Sequence, residues 1–404
     1  MSPPTPDYNL PDPPTLLQAG TLKGQPINID PSSIRPAGDG NPLFLASLTR
    51  NPTQEARRDG EAGVVAVKVV ELDGTRRPRD GRKEAELLGR MQHPNILALL
   101  NAYLTPTSLS PRLTLFTPYY PFTLRRLLTS SSFLPSTPGF TTLSISWAYQ
   151  LISAVAYLHD QAIAHRDINP NNVVLARSGR LVLIDFGIAI HDGDEKPGEM
   201  CFEVGTGPYR APELVFASRT YSPPAIDLWA LAATLCEFFT PLETPSPPSP
   251  PSSEDSMERE WRLREEQEEG PRLSRKNLFR GGQSDFALIA SIFRVLGTPN
   301  VAEWPEAACL PSFHRFTFAS FPPASLASHL THLEALGSSP LPDILQGMLV
   351  HSAAKRMDAK TALAMLDKAG EVSLPPGLRE PESPRVADGD GESLEEILAR
   401  MLLP

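Results

Sequence analysis

Apolar positions fall into short unbroken runs early in the chain and into helix-spaced sets later, and this change of period predicts the elements. Val64-Val65-Ala66-Val67-Lys68-Val69-Val70 surrounds one lysine with aliphatic residues and predicts a buried strand. Lys83 to Met91 follows, with Leu87, Leu88 and Met91 at helical spacing, and stops at His93-Pro94-Asn95. Ser144 to His159 predicts a long amphipathic helix, and Arg180 to Ile184 a short apolar strand running into Asp185. Further helices are predicted over Asp227 to Phe239, Asp285 to Leu296 and Leu341 to Leu349. Leu394, Ile397, Leu398 and Met401 give Ser393 to Leu403 one apolar face, which leaves a docked helix and a frayed, solvated one equally open.

Composition changes this picture mainly at the edges. The 44 prolines of the 404 residues are about twice the usual share of roughly 5%, and they are unevenly placed. Residues 1–33 read as a disordered Pro-rich leader, and residues 371–404 as a polar tail ending in the short helix. Pro241 to Ser252 alternates proline with serine and threonine, and Glu254 to Glu269 is densely charged, so about 241–275 reads as an inserted loop. A hydrophobic content of 41% is enough for sizeable cores. Cys201, Cys236 and Cys309 form no C-x-x-C pair, and the histidines show no ligand spacing, so neither a disulfide framework nor a zinc site is expected. A net charge of -10 argues against a general nucleic-acid binder. No leader of basic then apolar residues precedes the domain and no run is long enough to span a membrane, so an intracellular location, nuclear or cytoplasmic, is expected.

The chemistry lies in His165-Arg166-Asp167-Ile168-Asn169-Pro170-Asn171-Asn172 and in Asp185-Phe186-Gly187, eighteen positions after Asp167. Phosphoryl transfer asks a protein chiefly to position ATP and offset charge, and each requirement has a candidate here. Lys68 on its strand would reach the first two phosphates, held by Glu84 on the next helix, with Glu86 facing another way. Asp167 would accept or orient the proton of a substrate hydroxyl, Asn172 and Asp185 would hold Mg2+, and Gly187 would let the backbone turn. Singly, a strand lysine is usually a surface residue and an Asp-Phe-Gly triplet usually a turn. In this order and spacing, coincidence is a poor account.

These motifs resemble eukaryotic protein kinases over about residues 34 to 365. Gly205-Thr206 with Tyr209-Arg210-Ala211-Pro212-Glu213 is similar to the end of a kinase activation segment, and Asp227-Leu228-Trp229 to the start of the central buried helix. Arg356 matches the arginine that pairs with the segment's glutamate, here Glu213, a pair whose rupture would cost about 3 to 5 kcal/mol. Phe293-Arg294-Val295-Leu296-Gly297-Thr298-Pro299-Asn300 with Trp304-Pro305 resembles the cyclin-dependent kinases of the CMGC group. The resemblance implies an α+β, two-lobed fold: an N-lobe at 34–122 with a small antiparallel sheet and one helix, and a mainly helical C-lobe at 123–370. It also implies ATP and Mg2+ as cofactors, with Gly38, Gly40, Leu45 and Ala66 joining Lys68, Asn172 and Asp185 around the nucleotide.

Three departures qualify the likeness. The phosphate loop keeps Gly38 and Gly40, but Leu43 stands at the third glycine position. Asn169 replaces the lysine that would contact the transferred phosphate, a loss of about 1.5 to 3 kcal/mol, or roughly tenfold to a few hundredfold in rate. Cys201 occupies the position of the activating phosphothreonine, while Lys83 and Ile190 replace two of the arginines that would grip that phosphate. Gly81, in the helix that binds cyclin in the family, is expected to weaken it by about 1 kcal/mol. Such losses are similar to those of the fungal monomeric CDK-activating kinases. The expectation is a monomeric serine/threonine kinase acting on protein substrates, other kinases included, without cyclin or segment phosphorylation. The alternative is a pseudokinase scaffold docking partners through its Pro-rich insert and tails.

Overall fold

A computed structural model of the chain describes residues 20–23, 29–36, 43–47, 63–72, 77–106, 110–243, 273–281, 284–370, 372–375, 378 and 393–402. The chain divides into two compact units, Met1–Pro121 with Ile184–Ala189, and Phe122–Leu183 with Ile190–Pro404. Asp185-Phe186-Gly187 belongs to the first unit: the Gly187 carbonyl accepts from the Asp80 amide at 2.9 Å, and the Asp185 carboxylate accepts from Lys68.

Among the described residues, the first unit is an antiparallel sheet carrying one α-helix. Its strands are β1 (Gly20–Lys23), β2 (Arg35–Pro36), β3 (Leu43–Ser47), β4 (Val64–Glu71), β5 (Asn101–Thr105) and β6 (Arg112–Pro118), in the order β1-β5-β6-β4-β3-β2. The apolar run around Lys68 is β4, central and paired on both sides. Val65, Val67 and Val69 pack with Phe44, Tyr103 and Phe116 in the core, and Ile29 joins them. Residues 1–33, read as a leader, therefore contribute to the sheet at two places: β1 pairs with β5, and Ile29 is buried. Proline content hid both, since β1 is a short edge strand whose pairing is set by backbone rather than by an apolar pattern. Helix α1 (Gly81–Arg90) starts at Asp80, whose side chain accepts from the amides of Arg82 and Lys83. Gly81 has a packing reason that its helix propensity concealed: a Cβ there would lie 2.9 Å from a Val70 methyl.

The second unit is mainly helical. Its α-helices among the described residues are α2 (Leu124–Leu128), α3 (Phe140–Asp160), α4 (Pro212–Val215), α5 (Pro223–Cys236), α6 (Asp285–Leu296), α7 (Leu341–Met348), α8 (Ala359–Ala369) and α9 (Leu394–Leu402). Short strands β7 (Phe122–Thr123), β9 (Val173–Leu175) and β10 (Leu181–Leu183) form one small sheet, and β8 (Ile163–Ala164) pairs with β11 (Ile190–His191). Every residue of α5 from Ala225 to Cys236 is buried, which is why its apolar pattern runs all round the helix. It begins earlier than its apolar pattern predicts because the Ser222 hydroxyl caps the Ala225 amide and prolines fill the first turn. Together the two units give the antiparallel N-lobe and helical C-lobe that the resemblance implies.

Helix α9 is docked within the second unit. Leu394, Ile397, Leu398 and Met401 are buried, and they meet the fold at two glycines. A Cβ on Gly139 would overlap the Ile397 side chain, and one on Gly179 would lie 2.9 Å from Leu394. Most of the expected insert lies outside the described residues, as does most of the tail before α9. The insert's ends are described: β12 (Leu242–Glu243) pairs with β13 (Ser274–Arg275), and the buried Arg275 donates to the carbonyls of Leu128, Phe238 and Thr240.

Candidate active site

Lys68, at the middle of β4, donates to both Glu84 carboxylate oxygens, at 2.8 and 2.9 Å, and to Asp185 Oδ1 at 3.0 Å. The strand places the lysine, α1 places the glutamate, and the turn before Phe186 places the aspartate. Burial alone would depress the lysine's pKa, but the carboxylates of Glu84 and Asp185 outweigh it and hold the ammonium above its ordinary value. Burial raises the Glu84 carboxyl, opposed by Lys68. Asp185 adopts a left-handed φ of 61°, rare for a residue with a side chain and found where function requires it. Arg79 stands 3.6 Å from its second oxygen, a contact that nothing in the sequence pattern signalled. Glu86 is exposed and pairs with Arg90, facing away from Lys68 as the helical period requires. Leu45 and Ala66 are register partners on β3 and β4, both largely buried. Gly38 and Gly40 lie outside the described residues.

In the second unit, Asp167 is fixed by donors from three side chains. Asn172 Nδ2 lies 2.9 Å from Asp167 Oδ2 and 2.8 Å from its carbonyl oxygen. The Thr206 hydroxyl donates to Oδ1 at 2.6 Å, and Asn169 Nδ2 reaches the same oxygen at 3.2 Å and the carbonyl at 3.1 Å. Asn169 thus serves two ends at once, because its own Oδ1 caps the Asn171 amide at 2.9 Å and starts a 3-10 turn at Pro170. The backbone before Asp167 is equally constrained. Asp227, fully buried at the start of α5, accepts from the amides of His165 and Arg166 at 2.8 and 2.7 Å. Thr206 entered the sequence reading only as part of the activation-segment motif; its bond to Asp167 joins residues far apart in the chain and leaves no local signal.

Glu213 and Arg356 meet as expected. The guanidinium donates to both carboxylate oxygens at 2.6 and 2.8 Å, and also to the carbonyls of Ala225, Val350 and His351. Arg356 lies over the Trp229 ring at 5.1 Å, so the pair is buried, bidentate and fully hydrogen-bonded.

Among the described residues no three His, Cys, Asp or Glu side chains gather into a metal site. Magnesium does not need one: it takes one or two protein oxygens beside phosphates and water. The Asp185 carboxylate and the Asn172 amide oxygen are donors of that kind, the Asn172 nitrogen being committed to Asp167. No described helix is long and apolar enough to cross a membrane.

Comparison with known proteins agrees with this geometry. Residues 53–366 match the model of the protein kinase domain. Among solved structures, the yeast RNA polymerase II CTD kinase CTDK-1 complex contains a chain of similar fold, with a TM-score of 0.60 and 22% identity, over 84% of this chain and 93% of that one. With most of its length matched to the domain, and with Lys68, Glu84 and Asp185 in one unit and Asp167, Asn169 and Asn172 in the other, the chain belongs to the protein kinase family.

Proposed function

We propose that this kinase is catalytically active, transferring the γ-phosphoryl group of ATP to serine or threonine hydroxyls of proteins. The observation that carries the reading is the hold on Asp167. Three side-chain donors fix its carboxylate, and a scaffold without catalysis has no use for a base oriented to that degree. Asp167 would orient the attacking hydroxyl and accept its proton. Lys68, kept charged by two carboxylates, would bind the first phosphates. Asn172 and Asp185 would hold magnesium, which offsets phosphate charge when bound. Asn169 orients Asp167 but brings no positive charge to the transferred phosphate, so turnover is slow rather than absent.

Within the family, the cyclin-dependent-kinase-like motifs place the enzyme near that group, and its departures favour the fungal monomeric CDK-activating type. On that reading it is an intracellular monomer, requires no cyclin, and has other kinases among its substrates. The support is Cys201, which cannot take the usual activating phosphate. Incubation of the purified chain with ATP, magnesium and a panel of kinase substrates tests the proposal, with phosphoserine or phosphothreonine as the expected product. No transfer to any substrate, with Asp167→Asn indistinguishable from the parent, would leave the scaffold reading that Asn169 favours.

A further inference from the structure

We infer that Glu195 is a positioning residue for catalysis, standing in for the phosphate that an activation segment of this kind carries; the inference rests on the kinase reading above. The Arg166 guanidinium, just before the base Asp167, is fully buried, and a buried cation needs an anion to offset its desolvation. Glu195 supplies it, with Arg166 Nη1 2.9 Å from Glu195 Oε2. The same carboxylate oxygen accepts from the Cys201 amide at 3.2 Å. The Tyr221 hydroxyl closes the ring: it accepts from Arg166 Nη1 at 3.2 Å and donates to the Cys201 carbonyl at 2.7 Å. Cys201 is therefore held at both its amide and its carbonyl, in the place where the resemblance puts a phosphothreonine.

Charge matching explains why a carboxylate suffices. A phosphate carries about -1.5 to -2 and is gripped by several arginines. Here one of those positions is Ile190, buried and paired through its backbone to Ala164, so it offers no cation. One guanidinium remains, and one carboxylate neutralises it. The consequence reaches Asp167 from both sides. Arg166 has a left-handed φ of 65°, held by its amide bond to Asp227, so anchoring its side chain stabilises a strained residue next to the base. Further along, Thr206 bonds the Asp167 carboxylate itself. The segment from Glu195 to Thr206 is thus tied to the catalytic loop at both ends without any modification.

Full-length Glu195→Gln tests this, because it removes the charge and keeps the size. The expected result is a kcat lower by about tenfold or more, the loss of one charge-assisted contact, with the KM for ATP within about twofold of the parent. Glu195→Asp, which keeps the charge at shorter reach, should fall between the two, and it also serves if the glutamine variant folds poorly. Hydrogen exchange across residues 195–206 is measured in parallel and needs no activity; the Cys201 amide should exchange faster in Glu195→Gln. An active parent with an equally active glutamine variant would overturn the inference while leaving the kinase reading intact. Unchanged exchange would overturn it as well, even if the parent proved inactive and the kinase reading failed.

Discussion

On the proposed function, Asn169 is the residue on which the rate turns. A lysine there would meet the developing charge on the transferred phosphate. The amide instead spends its nitrogen on Asp167 and its oxygen on the Asn171 amide. The amide therefore orients Asp167 but gives up the electrostatic contact that the lysine would make. Asn169→Lys is expected to raise kcat by about tenfold, the lower end of what a charge-assisted contact supplies, with little change in the KM for ATP. A kcat at or below the parent value would mean that the amide's hold on Asp167 outweighs the missing charge. The pairing of Lys68 with Glu84 was legible from spacing, because the motifs fix residue types that have few alternative uses. Thr206 on Asp167 and Glu195 on Arg166 were not legible: each joins parts of the chain through one side chain, and an isolated threonine or glutamate in a loop has many ordinary roles.

At the scale of elements, period predicted what was packed on one face and missed what was held by ends. Helix α6 was read to the residue, since Asp285 to Leu296 is amphipathic and capped by Ser284. Helix α8 was missed because polar residues interrupt its apolar face, although Asp358 caps it and Gly370 closes it at a φ of 97°. The docking of α9 depended on Gly139 and Gly179, whose missing side chains make room for Ile397 and Leu394, and no periodicity records an absence. Ile397→Asp should detach this helix and lower the melting temperature by several degrees, the loss of one buried aliphatic side chain being about 1.5 to 3 kcal/mol; calorimetry reads it. The turn before Arg356 supplies a pH-dependent contribution. His351 packs against Phe293 and Trp304, and burial, assisted by Arg356, pushes its pKa down to about 4 from 6.5. A depressed pKa means that the unfolded chain takes up a proton the folded chain refuses, so stability is full above pH 6.5 and declines as pH falls toward 4. The slope is at most about 1.4 kcal/mol per pH unit for this residue. His351→Phe should flatten the dependence of melting temperature on pH in that window, and an unchanged slope would remove His351 from the account.

For the whole molecule, the division into a sheet unit and a helical unit was legible through the resemblance to protein kinases, with the helical patterns of the C-terminal half agreeing, whereas its finer boundaries were not. Asp185-Phe186-Gly187 joins the sheet unit although the sequence around it belongs to the other, because Lys68 and the Asp80 amide hold it there. The aspartate proposed to hold metal and the lysine proposed to bind the phosphates are therefore parts of one folded body. ATP with magnesium should raise the melting temperature more than ATP with excess chelator, since a ligand that binds only the folded chain stabilises it by mass action. Asp185→Ala should abolish the difference between the two conditions. The central claim is that this kinase retains catalysis with an oriented base despite Asn169. It is tested most directly by the initial rate of phosphoryl transfer from radiolabelled ATP to a protein substrate, compared between the purified parent chain and Asp167→Asn. The account predicts a slow but measurable rate in the parent and a fall of at least about a hundredfold in the variant, the lower end of what a general base contributes. Equal rates in the two proteins would contradict it.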